Sequence, residues 1–287
     1  MIPAAFAYHR PQSLADAIGL LAQGGEEARV IAGGHSLVPM MKLRLARPQQ
    51  LVDLQDLDEL RGIRVEGTML VVGAMTTQHE LIGSATVATE CPILRETALA
   101  IADPQVRYCG TLGGNLANGD PGNDMPAVML ALDAVYRVMG PRGERDIPAR
   151  EFYNGIYATA LADGEILTAI RIPIPGPGHG WAYEKQKRKV GDYATAAAAV
   201  VLTMAGGRCT AAAIGLTNLA DTPLLTRDAG AALLGTGVDE AVIAEAVRCA
   251  RAIASPAPDL RGPVEFRVHV AGIMVRRAIL RAKERAR

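Results

Sequence analysis

Two pairs of adjacent glycines are the residues whose type and spacing best suit ligand binding. They occur in two five-residue segments, Ala32, Gly33, Gly34, His35, Ser36 and Thr111, Leu112, Gly113, Gly114, Asn115. Adjacent glycines lack Cβ atoms, so the backbone can adopt positive φ and approach a bulky anion closely. Successive N–H groups then point into one concavity, and neighbouring hydroxyl or amide side chains add donors. Together the segments predict a diphosphate site, although a turn or bulge explains either one alone.

The spacing of the glycines disfavours two common nucleotide sites. The chain contains neither G-x-G-x-x-G nor G-x-x-x-x-G-K-[ST], which argues against a Rossmann dinucleotide domain and against a nucleotide triphosphatase. A polar loop, residues 118–124, follows the second segment, and Asp124 stands at the predicted start of a helix. Its carboxylate is placed to accept hydrogen bonds from cofactor hydroxyl groups, while N-capping is the simpler alternative.

Composition narrows the class of protein. The 287 residues include 30 Lys+Arg and 30 Asp+Glu, and this balance argues against nucleic acid as the main partner. No run of 18 apolar residues and no secretory signal is found, so we expect a cytoplasmic protein. The four cysteines, Cys91, Cys109, Cys209 and Cys249, include no Cys-x-x-Cys pair. We therefore expect no metal site in this chain and interpret the cysteines as buried or half-buried thiols.

The elements that must position these residues fall into two regions. Apolar patterns predict helices over 13–21, 37–45, 94–102 and 125–132, and strands over 29–32, 50–54, 69–73 and 165–171, with a turn-rich stretch at 61–68. A Pro/Gly cluster at 172–180 closes this region. Beyond it we predict a strand at 181–189, a hairpin of 194–204 and 209–219 around Gly206-Gly207, and helices from Arg227 onward. We predict domains at 1–177, of α+β or mixed α/β class, and at 178–287.

Several longer strings of residues resemble a known family. They are residues 32–45, 74–79, 101–107, 111–124, 183–195 and 215–218. They resemble the flavin-binding medium subunits of molybdenum hydroxylases, and within that family they are most similar to the aerobic carbon monoxide dehydrogenase type. The resemblance extends over essentially the whole chain.

The resemblance implies a fold and a task. The fold is an FAD-binding domain of the vanillyl-alcohol-oxidase type in two subdomains, followed by a small C-terminal domain of a sheet with helices. The task is that of an oxidoreductase subunit. A large subunit carries the molybdenum cofactor, a small subunit carries two [2Fe–2S] clusters, and FAD in the medium subunit passes electrons to a quinone-type acceptor. The implied assembly is a dimerised heterotrimer that contacts the inner face of the membrane only through the acceptor.

The family also implies roles for individual residues. Both glycine segments hold the FAD diphosphate, Asp124 binds the ribityl hydroxyl groups, and the strand around Leu167 packs near the flavin or adenosine. Lys187 lies by the isoalloxazine, with Lys185 as the alternative, and Tyr193 lies against the ring. A cation there stabilises the negative charge of reduced flavin. We expect noncovalent FAD, with His35 at most a donor to phosphate.

Other interpretations of the sequence remain open. One alternative keeps the family and changes the substrate of the partner subunit to an N-heterocycle or an aromatic acyl thioester. A scaffold without flavin and a free-standing flavin oxidase are two further classes. We assign no catalytic residue, because no acid–base pair stands beside the glycine segments. The basic residues 276–287 are interpreted as a solvated helix face, with a partner contact as the alternative.

Overall fold

The computed structural model describes residues 2–286, and its N-terminal part contains a three-stranded parallel sheet. The strands are β1 (Ala7–His9), β2 (Ala28–Ile31) and β3 (Gln50–Asp53), in the order β1-β3-β2. Helix α1 (Leu14–Gly24) joins the first two strands, and the hydroxyl of Ser13 caps it by accepting from the N–H of Asp16 at 3.1 Å. Helix α2 (Leu37–Lys42) follows β2. The first glycine segment therefore lies at the carboxyl end of a parallel strand, where α/β proteins commonly bind ligands.

A five-stranded antiparallel sheet and six helices form the middle of the chain. The strand order is β4-β5-β10-β6-β7, with a small hairpin of β8 and β9 beside it. The strands are β4 (Ile63–Glu66), β5 (Met69–Gly73), β6 (Val135–Gly140), β7 (Gly143–Pro148), β8 (Tyr153–Gly155), β9 (Ala158–Thr159) and β10 (Ile166–Pro173). The helices are α3 (Gln78–Gly83), α4 (Ala85–Glu90), α5 (Pro92–Ala100), α6 (Pro104–Cys109), α7 (Leu112–Ala117) and α8 (Met125–Ala131). The helices and the sheet enclose the largest apolar core.

The last part of the chain is a four-stranded antiparallel sheet covered by helices. The strand order is β11-β12-β13-β14, with the bounds β11 (His179–Gln186), β12 (Ala196–Ala205), β13 (Arg208–Thr217) and β14 (Leu224–Leu225). The helices are α9 (Arg227–Leu233), α10 (Glu240–Ile253) and α11 (Val264–Arg285). Gly206 and Gly207 turn the β12–β13 hairpin with φ of 55° and 76°, which is typical of a two-residue loop in a right-twisted sheet.

The structure corrects two of the predicted elements. The turn-rich stretch 61–68 contains strand β4, which pairs with β5 from Ile63 opposite Val72 to Glu66 opposite Met69. The second glycine pair does not lie in a loop, because Gly113 and Gly114 belong to helix α7. The capped helix α1 and the β12–β13 hairpin are confirmed.

The basic C-terminal helix is more than a solvated face. On α11, Arg285 donates to Glu96 of α5 at 2.7 Å, and Arg281 lies 3.2 Å from the same carboxylate. Glu96 in turn accepts the backbone N–H of Tyr183, on the edge strand β11, at 2.7 Å. These bonds attach α11 and β11 to helix α5 in the middle part of the chain. Within residues 2–286, no helix combines the length and the apolar composition needed to cross a bilayer.

Candidate cofactor-binding site

The first glycine segment forms an open loop with unused backbone donors. It leaves strand β2 after Ile31, and Gly34 adopts a φ of +71°. Within the described residues 2–286, the backbone N–H groups of residues 33–37 donate to no protein acceptor. Successive N–H groups without a protein acceptor are a feature of backbone segments that bind anions. The side chain of His35 is exposed.

The second glycine segment differs, because four of its five backbone N–H groups, those of residues 112–115, already donate within the chain. The N–H groups of Leu112 and Gly113 donate to Thr76 O and Ala74 O, both at 2.8 Å. Gly114 donates to the Thr111 hydroxyl oxygen at 3.0 Å, and Asn115 donates to the Thr111 carbonyl at 3.1 Å. The expectation of free N–H groups in both segments is therefore wrong for the second one. It retains the hydroxyl proton of Thr111 and the side-chain amide of Asn115 as donors.

The absence of Cβ atoms brings the two segments together. A Cβ atom on Gly33 would lie 2.2 Å from the carbonyl oxygen of Cys109, two residues before Thr111. A Cβ atom on Gly114 would lie 3.5 Å from that of Ala32. The segments are 79 positions apart from Ala32 to Thr111 in the sequence (111 − 32), yet they touch in the fold. One ligand can therefore contact both.

Asp124 is buried and bound on both carboxylate oxygens. It is 4% exposed; Oδ1 accepts the hydroxyl of Tyr183 at 2.5 Å, and Oδ2 lies 2.8 Å from Nζ of Lys185. It does not cap helix α8 through its side chain, so the simpler alternative to a binding role is not observed. Burial and the negative charge of Asp124 raise the pKa of Tyr183 well above its usual value, so the phenol remains a donor.

Lys185 and Lys187 have different surroundings, although both Nζ atoms lie 3.3 Å from Ala100 O. Lys185 is committed to the carboxylate of Asp124, and its side chain is only 4% exposed. Lys187 has no carboxylate partner within residues 2–286. Burial lowers the pKa of Lys187, the positive charges of Lys185 and Arg107 lower it further, and Asp124 opposes the shift. Of the two lysines, Lys187 is thus the one whose charge no carboxylate neutralises within residues 2–286.

Tyr193 lies on the loop between β11 and β12, against the polar loop 118–124. It is 41% exposed, and its ring centroid lies 5.5 Å from the guanidinium carbon of Arg261. A Cβ atom on Gly122 would lie 2.7 Å from Cδ1 of Tyr193, so the ring rests directly on this glycine. Burial raises the pKa of Tyr193, and the charge of Asp120 raises it further.

The remaining predicted site residues lie in or near the core. Leu167 is 5% exposed and Leu112 is fully buried, both in the largest apolar cluster. Tyr183 was not predicted as a partner of Asp124, although its position two residues before Lys185 on one strand places both side chains on the same face. Cys109 is exposed, contrary to the expectation of buried or half-buried thiols. Within residues 2–286, no three His, Cys, Asp or Glu side chains cluster as metal ligands.

Comparison with known proteins gives full-length similarity. Residues 4–175 match the family model described as the FAD binding domain in molybdopterin dehydrogenase, and residues 181–282 match the CO dehydrogenase flavoprotein C-terminal domain. The carbon monoxide dehydrogenase medium chain of Afipia carboxidovorans is 62% identical over 287 residues, which is 100% of both chains.

Solved structures are similar to this chain over its full length as well. A chain of the cyanide-inactivated Cu,Mo-CO dehydrogenase superposes with a TM-score of 0.99 at 62% identity, covering 100% of both chains. A chain of quinoline 2-oxidoreductase from Pseudomonas putida 86 superposes with a TM-score of 0.95 at 38% identity, covering 100% of this chain and 99% of that one. The predicted fold class, an FAD-binding domain with a C-terminal sheet-and-helix domain, is confirmed.

Proposed function

The chain belongs to the family of flavoprotein subunits of molybdenum hydroxylases, and on this premise we propose that it is the FAD-binding medium chain of a carbon monoxide dehydrogenase. The observation that carries this proposal is the identity of 62% to a carbon monoxide dehydrogenase medium chain along the entire length. The chain then works as part of an oxidoreductase. FAD supplies a centre that accepts electrons and passes them on.

The first glycine segment fits the diphosphate of FAD. The free N–H groups of residues 33–37 supply the donors, and the missing Cβ atom of Gly33 lets the second segment approach. We assign the contacts to residues 32–36 and, through the hydroxyl of Thr111 and the amide of Asn115, to residues 111–115. The backbone groups of Leu112, Gly113 and Gly114 are engaged within the chain, so these residues support the site by packing.

Three further residues complete the proposed contacts. Asp124 has a second lone pair on each carboxylate oxygen for ribityl hydroxyl groups. Lys187 would offer a positive charge to the flavin ring, since no carboxylate within residues 2–286 pairs with its Nζ. Tyr193, whose ring rests on Gly122 of loop 118–124, would hold the flavin ring by aromatic contact. Leu167 supports the site from the core rather than through a polar contact.

We propose noncovalent attachment of FAD, with domains at 1–177 and 178–287. The match to the first family model ends at residue 175 and the match to the second begins at residue 181, which supports this division. Acid precipitation should release the yellow colour into the supernatant. Flavin that stays with the precipitate would contradict noncovalent binding and would make His35 the candidate for covalent attachment.

We propose that the partners are a large subunit with the molybdenum cofactor and a small subunit with two [2Fe–2S] clusters, in a dimerised heterotrimer. The acceptor is of quinone type, and the complex works in the cytoplasm, with membrane contact only through that acceptor. Support comes from the relatives, one of which is titled a subunit of a dehydrogenase complex at 35% identity.

A second candidate keeps the fold and changes the substrate of the large subunit to an N-heterocycle. The similarity to quinoline 2-oxidoreductase favours it, but at 38% identity against 62% for carbon monoxide dehydrogenase. Copurification from the native source tests both. We expect two further chains, molybdenum and iron in fixed ratio to flavin, and dye reduction by carbon monoxide. Reduction by quinoline but not by carbon monoxide would support the second candidate.

A further inference from the structure

A fully buried arginine stands at the base of the loop that carries Lys187 and Tyr193. Arg267, on α11, is 2% exposed, and it donates to the carbonyl oxygens of Thr195 at 3.1 Å, Ala257 at 2.7 Å and Asn218. Its nearest carboxylate oxygen belongs to Asp259, 3.5 Å away. A buried guanidinium without its acceptors is costly, so the three carbonyl groups are held where the fork of donors requires them.

Asn218 extends this arrangement to both loops of the proposed flavin site. Its backbone adopts a φ of 60°, its N–H donates to Pro121 O at 3.0 Å, and its Nδ2 donates to Ala194 O at 2.6 Å. Pro121 belongs to loop 118–124, and Ala194 directly follows Tyr193. One residue, held by Arg267 through its carbonyl group, therefore links the two loops.

The carboxylate of Asp192 accepts from Arg188 at 3.1 Å and lies 3.6 Å from Arg261. The loop at residues 187–194 is thereby fixed just before Tyr193. Its base is closed by the N–H of Thr195, which donates to Gln186 O at 2.7 Å. The ring of Tyr193 rests on Gly122 with 41% of the residue exposed. Directly after Tyr193, the chain is fixed by the carbonyl groups of residues 194 and 195, which Asn218 and Arg267 bind.

We propose that Arg267 and Asn218 are positioning residues for the flavin ring, because they fix Tyr193 against loop 118–124. This inference rests on the proposed function, since it takes Tyr193 to lie against FAD. Neither side chain touches the cofactor in this proposal. Both act through the loop that carries Tyr193.

The test uses Asn218→Gly in the complex produced with its partner subunits. Glycine accepts a positive φ, so this change removes the side-chain bond to Ala194 and leaves the backbone bonds in place. We expect the dissociation constant of FAD to rise about fivefold, the effect of one hydrogen bond of about 1 kcal/mol. The visible circular dichroism of the flavin should change as well. Arg267→Lys should act in the same direction, because one ammonium cannot replace the fork.

A second background separates positioning from general stability. In Tyr193→Ala, adding Asn218→Gly should leave the dissociation constant unchanged. Asp133→Gly is the matched control, because Asp133 also has a positive φ, 52°, and lies outside the site. An equal rise in both backgrounds, or no rise at all, would overturn the positioning role while FAD binding itself stands. A wild-type complex without flavin would instead overturn the proposed function and this inference together.

Discussion

Lys185 and Asp124 form a buried ion pair between strand β11 and the start of helix α8. Nζ lies 2.8 Å from Oδ2, and the two side chains are 4% and 6% exposed. Tyr183, on the same face of β11, donates to the other carboxylate oxygen at 2.5 Å. The carboxylate that we assign to the ribityl chain is thus fixed by two residues of the C-terminal region. The residue assigned to cofactor binding is therefore also part of the contact between the two regions of the chain.

Replacing Lys185 with methionine should strongly destabilise the protein. The change leaves the carboxylate of Asp124 buried with Tyr183 as its one remaining side-chain partner, and breaking a buried pair in this way costs about 3–5 kcal/mol. The free energy of unfolding in urea measures the effect. The double variant Lys185→Met with Asp124→Asn should recover part of the loss, because the uncompensated charge is gone.

The control for this prediction is an exposed pair. Arg248 and Glu245 lie 2.5 Å apart with side chains 69% and 48% exposed, and Arg248→Met should change the free energy of unfolding far less than Lys185→Met does, because water screens the exposed pair. Equal losses in Arg248→Met and Lys185→Met would show that burial does not govern the energy of the Lys185 pair.

Local signals predicted the elements that local interactions define. Ser13 ahead of an apolar helical pattern marked α1, and Gly206-Gly207 between two Ala/Val/Ile runs marked the hairpin. Strand β4 was not predicted, because Ile63 and Val65 alternate with charged residues over only four positions, between the turn-forming glycines Gly62 and Gly67. Its pairing with β5 defines it as a strand.

In the candidate site, too, local features were predicted and contacts with distant residues were not. A glycine pair indicates close backbone approach, but the sequence does not say whether the approaching group is a ligand or the chain itself. For Gly33 the N–H group is free, while for Gly113 it binds Ala74, 39 positions away (113 − 74). The choice between Lys185 and Lys187 also depended on a distant residue, since Asp124 engages only the first.

Substituting Gly33 with alanine should separate the two glycine segments. The new Cβ atom would lie 2.2 Å from the backbone oxygen of Cys109, which cannot yield as a flexible side chain would. We expect FAD binding to weaken at least about tenfold, equivalent to about 1.4 kcal/mol. A titration followed by flavin fluorescence measures the dissociation constant.

Gly19 provides the matched glycine control. It lies within α1, and a Cβ atom there would meet no atom within 4 Å. Gly19→Ala should leave FAD binding unchanged and stabilise the helix by up to about 1 kcal/mol. If Gly33→Ala binds FAD as the wild type does, the two segments do not need this close approach.

Lys187→Met should lower the reduction potential of the bound flavin. The positive charge favours the reduced, more negative ring. If its removal destabilises the reduced flavin by about 1.4 kcal/mol, the potential of this two-electron couple falls by about 30 mV. Equilibration with a reference dye measures the potential. Lys189→Met removes an exposed lysine from the same loop and should leave the potential unchanged. A similar drop in both variants would indicate a general effect of charge rather than a contact at Lys187.

The stability of the FAD-free protein should depend on pH through Lys187. The pKa of this lysine in the folded protein lies below its ordinary value of 10.5, chiefly because burial disfavours the charged form. Between the lowered pKa and 10.5 the unfolded chain binds a proton that the folded chain does not, so the free energy of unfolding rises with pH across that window. Below the window both states are protonated, and the cost of burying the charge is present in full. The difference in unfolding free energy between wild type and Lys187→Met should therefore move in favour of the wild type as pH rises toward 10.5, and urea titrations at several alkaline pH values measure it. A difference that stays constant with pH would mean that folding leaves the pKa of Lys187 at its ordinary value.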